Sequence, residues 1–99
     1  MKIEWSPNAL EREATIDAWW RENRPDAPDL FTRELLGAIE QIASFPEVPP
    51  VCAHVDGRPV RSVLLPKTRQ HLYYSVHRDR DALWIHTIWG TRRDEPPPL

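Results

Sequence analysis

Eight side chains in the C-terminal half of the chain stand out for the chemistry they can do. Arg61, Lys67, Arg69, Arg92 and Arg93 are able to form a cationic patch that binds phosphate or stabilises charge developing on it. The plainer alternative is a set of solvated turns and strand ends. His71, His77 and His86 can move protons near neutral pH. Alternation puts His71 and His77 on one strand face with Tyr73, and ordinary sheet-face residues are the preferred alternative. The histidines lack the spacing of a zinc site. Cys52 has His54 two residues away but no fixed third partner, so a thiol nucleophile carries little weight. Trp19, Trp20, Trp84 and Trp89 are large enough to anchor an interface; most are expected in the core, with one or two facing a partner.

These residues need elements to position them. Lys2 to Trp5 alternates polar and apolar, as a short half-buried strand does. Ser6-Pro7 is an N-cap followed by a proline at the first helical position, and a helix is predicted to about Arg24. Its stripe is Ala9, Ile16, Trp19 and Trp20, interrupted by Arg12 and Glu13. A second helix is predicted from an Asp26 cap, carrying Phe31, Leu35, Ala38, Ile42 and Phe45 at spacings of 4, 3, 4 and 3. A three-residue turn would make the two an antiparallel hairpin. Residues 46–59 hold four prolines and Asp56-Gly57 and read as an ordered loop. Three strands follow: Val60 to Leu65, Gln70 to His77, and Ala82 to Trp89, the last with Leu83 and Ile85 on one face and Trp84 and Ile88 on the other. Pro96-Pro97-Pro98 ends any strand, and residues 95–99 are expected to be a flexible tail. The expected architecture is α+β, in the order β-α-α-β-β-β, with a helix hairpin on a small, mainly antiparallel sheet.

Ninety-nine residues correspond to one domain, 1–99, with no internal boundary. No apolar run is long enough to span a membrane and none follows the N-terminus as a secretion signal would, so a cytoplasmic location is expected. A single cysteine agrees, and excludes an internal disulfide and a multi-cysteine zinc site. The net charge is −2, divided unevenly: residues 1–50 carry five basic and ten acidic side chains, residues 51–99 eight and five. A small net charge argues against a generic RNA binder.

The element order, together with five phrases, resembles the RelE/ParE superfamily of toxins from bacterial type II toxin–antitoxin systems. The phrases are Trp5-Ser6-Pro7-Asn8-Ala9; Ile39 to Pro46; Val60 to Arg69; His71-Leu72-Tyr73-Tyr74-Ser75-Val76; and Ile88-Trp89-Gly90-Thr91-Arg92-Arg93. They cover nearly the whole chain, and the strand-turn-strand phrase ending in Tyr73-Tyr74 looks like the ParE-type, plasmid-stabilisation branch.

The resemblance implies a toxin neutralised by a cognate antitoxin from the adjacent gene. In the ParE branch the usual target is DNA gyrase, bound rather than chemically altered. The RelE branch instead cleaves messenger RNA on the ribosome. Metal-free cleavage needs a proton acceptor for the 2′-OH, cations for the phosphorane and an acid for the leaving oxygen. Arg92 matches the arginine that follows the last strand in that family, and a variant site would be built from Lys67, Arg69, His71 and Arg92. The C-terminal tyrosine has no counterpart after Arg93, where the chain runs into prolines. The favoured expectation is therefore a ParE-like binder without cofactor or metal, with no membrane association and no sequence-specific DNA binding by the toxin alone. Its partner-binding candidates are Arg61, Lys67, Arg69, Tyr73, Trp89, Arg92 and Arg93. The alternatives are a ribosome-dependent endoribonuclease and a non-toxic member that still binds antitoxin.

Overall fold

The computed structural model describes all 99 residues. Strand β1 spans Lys2–Trp5 and helix α1 Pro7–Asn23. Ser6 joins them in extended conformation, and its Oγ accepts the Ala9 N–H at 2.9 Å, the capping bond that its type and position predict. The same hydroxyl donates to the carbonyl of His86 at 2.7 Å, so the cap also ties the start of α1 to a strand 80 residues later.

Helix α2 spans Leu30–Ser44 with Asp29 as its cap residue, which corrects the expected start at Asp26. Proline disfavours helical geometry in the residue before it, so Pro28 holds Ala27 out of the helix. The segment between the helices instead closes through turn bonds, Ala27 N–H to Arg24 O and Leu30 N–H to Ala27 O. Thr32 donates to Asp17 across the helix pair at 2.9 Å. Phe31, Leu35 and Ile42 are buried as their spacing predicts, each burial stabilising by roughly 1.5–3 kcal/mol. Phe45, one step further, lies past the helix end and is 66% exposed.

The sheet has five strands in the order β1-β5-β4-β3-β2: β2 Val51–Val55, β3 Arg58–Leu65, β4 Gln70–His77 and β5 Ala82–Gly90. The α+β architecture is as expected, a helix hairpin on a mostly antiparallel sheet, but β2 comes from the segment read as a loop. Pro49-Pro50 precede this strand rather than interrupt it. Asp56 and Gly57 both take positive φ, 52° and 76°, in the two-residue turn that pairs Val55 with Arg58. That backbone suits an Asp-Gly hairpin. β1 lies at the opposite edge, parallel to β5, with Lys2 against Ala82 and Trp5 against Ile85.

Between Tyr73 and Tyr74 the β4–β5 register shifts, from Tyr73 opposite Thr87 to Tyr74 opposite Ile85, leaving His86 as an extra residue in β5. The bulge reverses the alternation beyond it. Ile88 therefore joins Leu83 and Ile85 in the core under the helices, not Trp84 on the other face as expected. The core is completed by Ala9, Ile16, Leu65, Leu72 and Tyr74. Tyr74 is fully buried, and its hydroxyl donates to the Pro46 carbonyl at 2.6 Å. The tryptophans correct another expectation, since none is fully buried; Trp5 and Trp20 pack on the core from its margin and Trp19 is 48% exposed. No helix is long and apolar enough to cross a membrane.

Candidate functional site: a cationic cleft

The β3–β4 turn, Pro66 to Arg69, projects beside the end of β5. Glu34 of α2 holds it from behind: its carboxylate accepts the N–H of Lys67 at 2.8 Å, the N–H of Thr68 at 3.0 Å and the Thr68 hydroxyl at 2.6 Å. Charge-assisted bonds to two successive amides fix the turn. Arg69 sits in the left-handed region, φ 62°, where its N–H donates to Leu65 O and its carbonyl accepts from Thr91 N–H, both at 2.9 Å. The second bond fastens the turn to the segment carrying Arg92 and Arg93.

β1 pairs only with residues 82–85 of β5, so the far half of that edge is free, and α1 crosses it. Arg12 Nε donates to the Ile88 carbonyl at 3.1 Å, and its guanidinium lies 5.3 Å from the Trp89 ring centre. Arg93 lies over the same ring at 4.2 Å. Trp89 in turn donates from Nε1 to the Glu95 carbonyl at 3.0 Å, folding the chain after β5 back on itself. At the other end of α1, Arg24 lies 5.6 and 5.9 Å from the Trp19 and Trp20 rings.

These pieces enclose an open cleft of about 620 Å³ between α1, the turn and the end of β5. Its walls carry Arg12, Arg24, Lys67, Arg69, Arg92 and Arg93 with Trp19 and Trp20, and no carboxylate. Arg93 has a carboxylate neighbour outside the wall, Glu95 at 3.6 Å; none of the other five cations makes an ion pair. Partial burial, and then the charge of Arg93, hold Arg12 below the usual arginine range, with Glu11 opposing the shift. Such a site favours an anion by Coulomb attraction and by filling guanidinium hydrogen-bonding positions.

Of the sequence-derived candidates, Lys67, Arg69, Arg92 and Arg93 meet in this cleft and Trp89 supports it from beside. Arg61, Tyr73 and His71 do not join them. Arg61 donates to the carbonyls of Glu47 at 2.9 Å and Pro49 at 2.7 Å, pinning the chain before β2, about 13 Å back along β3 from the Leu65 end that leads into the turn. His71 packs against Tyr73, ring centres 5.9 Å apart, and burial raises the Tyr73 phenol above its ordinary range, with Cys52 adding to the shift. Cys52 is exposed, its Sγ 3.5 Å from the Val60 carbonyl.

His77 and His86 converge instead on buried Ser75, whose Oγ lies 2.9 and 3.0 Å from their Nε2 atoms. The Nδ1 of His77 is buried without a partner. A buried orphan N–H is costlier than an orphan lone pair. We therefore assign His77 Nε2–H as donor to Ser75, and the Ser75 hydroxyl as donor to His86. Burial lowers both imidazoles, with Arg58 and Arg80 adding to the effect on His77, and His77 to that on His86. No three His, Cys, Asp or Glu side chains group as a metal site would.

Sequence reasoning missed Arg12, Arg24 and Glu34, and named Trp19 only among four tryptophans of which one or two would face a partner. Arg12 had a signal: it interrupts the stripe between Ala9 and Ile16, and a cation on a core-facing stripe must reach the sheet's rim. Glu34 had none, because its partners lie 33 and 34 residues away.

A family model described as ParE toxin of type II toxin-antitoxin system, parDE, matches residues 3–95. No curated protein matches.

Proposed function

The chain belongs to the ParE toxin family of type II toxin–antitoxin systems, and on that premise we propose that it acts by binding and inhibiting DNA gyrase rather than by cutting RNA. The family implies an antitoxin partner. The observation that carries the binding reading is the composition of the cleft. It offers cations, hydroxyls, tryptophans and Gln70, but no histidine, tyrosine or carboxylate to take or give a proton at neutral pH. The variant nuclease site would need His71 beside Arg92. His71 is not among the residues that line the cleft with Arg92, and its ring packs against Tyr73.

The antitoxin's dock is the apolar margin where α2 runs into β2. Phe45, Val48 and Val51 are exposed there, and Ile42, Phe45, Val48, Pro49 and Val63 line a groove of about 230 Å³. Exposed apolar surface of this kind favours an amphipathic segment that orders on binding. The test is a supercoiling assay with purified gyrase at increasing toxin. Progressive inhibition, relieved by the cognate antitoxin, is expected. Unimpaired supercoiling at large excess removes gyrase as the target.

A further inference from the structure

We propose that the cationic cleft binds the phosphodiester backbone of a single nucleic-acid strand, with Trp19 as the stacking surface for a base. This goes beyond the gyrase reading and does not depend on it. Six cations lie on three segments distant in sequence: Arg12 from α1 and Arg24 just past its end, Lys67 and Arg69 from the β3–β4 turn, Arg92 and Arg93 after β5. The chain as a whole is acidic by two charges, so indiscriminate attraction to a polyanion is absent, and any affinity must be local. Glu34, behind the turn, is committed to three hydrogen bonds with it, and neither Lys67 nor Arg69 makes an ion pair. Two guanidiniums share the Trp89 ring, a like-charge pairing that an anion relieves.

Aromatic surface separates a strand of nucleic acid from an acidic peptide as the occupant. Trp19 is about half exposed at the cleft wall, held edge-on against Trp20 at 5.6 Å. A cationic groove with an exposed aromatic platform is how proteins hold single strands without reading their sequence. An acidic peptide would use the arginines and leave Trp19 idle.

The probe is a fluorescein-labelled twelve-nucleotide oligothymidylate, with binding followed by anisotropy between 50 and 200 mM salt. If three or four phosphates are neutralised, the log–log salt slope is about −2 to −3. Arg92→Ala should flatten it by about 0.7, and Trp19→Ala should weaken binding about fivefold or more. Arg78→Ala is the charge-matched control. Arg78 is paired with Glu47 away from the cleft, and its loss should leave the slope unchanged. Absence of binding at 50 mM salt overturns the proposal. So does an Arg78→Ala effect equal to that of Arg92→Ala, which would indicate net charge rather than a site. Displacement of the oligonucleotide by a decaglutamate peptide at lower concentration than by unlabelled oligothymidylate also overturns it, and assigns the cleft to acidic peptides.

Discussion

Replacing Arg69 by glycine should make the protein more stable and less able to bind. Arg69 has φ 62°, a conformation that costs a non-glycine residue about 1–3 kcal/mol. Glycine removes that strain but adds about 0.5–1 kcal/mol of chain entropy to the unfolded state. The two backbone bonds that hold the position, to Leu65 O and from Thr91 N–H, are unaffected by the side chain. The exposed guanidinium makes no hydrogen bond and no ion pair that would be lost. The balance is a gain of about 1 kcal/mol, or roughly 4–8 °C in melting temperature for a domain of this size. Thermal unfolding by circular dichroism measures it. The same variant should flatten the oligonucleotide salt slope by about 0.7, as the loss of one phosphate contact does. A fall in melting temperature refutes the strain account. A rise with unchanged binding refutes the view that this strained position holds a cation for the cleft.

Four other outcomes follow from the geometry. Ser6→Ala removes both the α1 cap and the bond to His86 O, and should cost about 1–2 kcal/mol in urea unfolding. Glu34→Ala strands the Thr68 hydroxyl and two amides, and should cost about 2–4 kcal/mol while loosening the turn, seen as faster amide exchange at Lys67 and Thr68. Burial pushes the Tyr74 phenol up from 10.0 to about 12, so its contribution is intact below pH 10 and lost as pH rises through about 12; Tyr74→Phe should flatten that alkaline decline in a pH-dependent melting series. His77 and His86 are depressed below 6.5, so their contribution is present above that pH and fades as pH falls through their lower folded values. Replacing both by glutamine should flatten the acid limb of the same series.

Local chemistry was legible where neighbours in sequence are neighbours in space. Ser6-Pro7 marked the start of α1, and the spacing of Phe31, Leu35 and Ile42 marked the buried side of α2. Features set by distant contacts were not. β2 is an edge strand with Val51 and His54 exposed, so no burial alternation betrays it, and Asp56-Gly57 reads equally as loop or hairpin until its partner is known. The bulge at His86 depends on the register against β4, which alternation alone assumes to be unbroken. In the cleft, Lys67, Arg69, Arg92 and Arg93 were identifiable as cations near strand ends. Their meeting with Arg12 and Arg24 follows from where α1 crosses the free edge of β5.

The parallel pairing of β1 with β5 gives the toxin a built-in order of assembly. Every paired position joins residues 80 apart, Lys2 with Ala82 through Trp5 with Ile85. Pairings of such separation form late, because a long loop must close before they contribute. During synthesis the first strand and the start of α1 leave the ribosome without the edge against which they dock. Arg12 meets Trp89, and the turn of Arg69 meets Thr91, only when the last strand has emerged. A translation product that ends before β5 therefore lacks the cleft, and with it whatever the cleft binds.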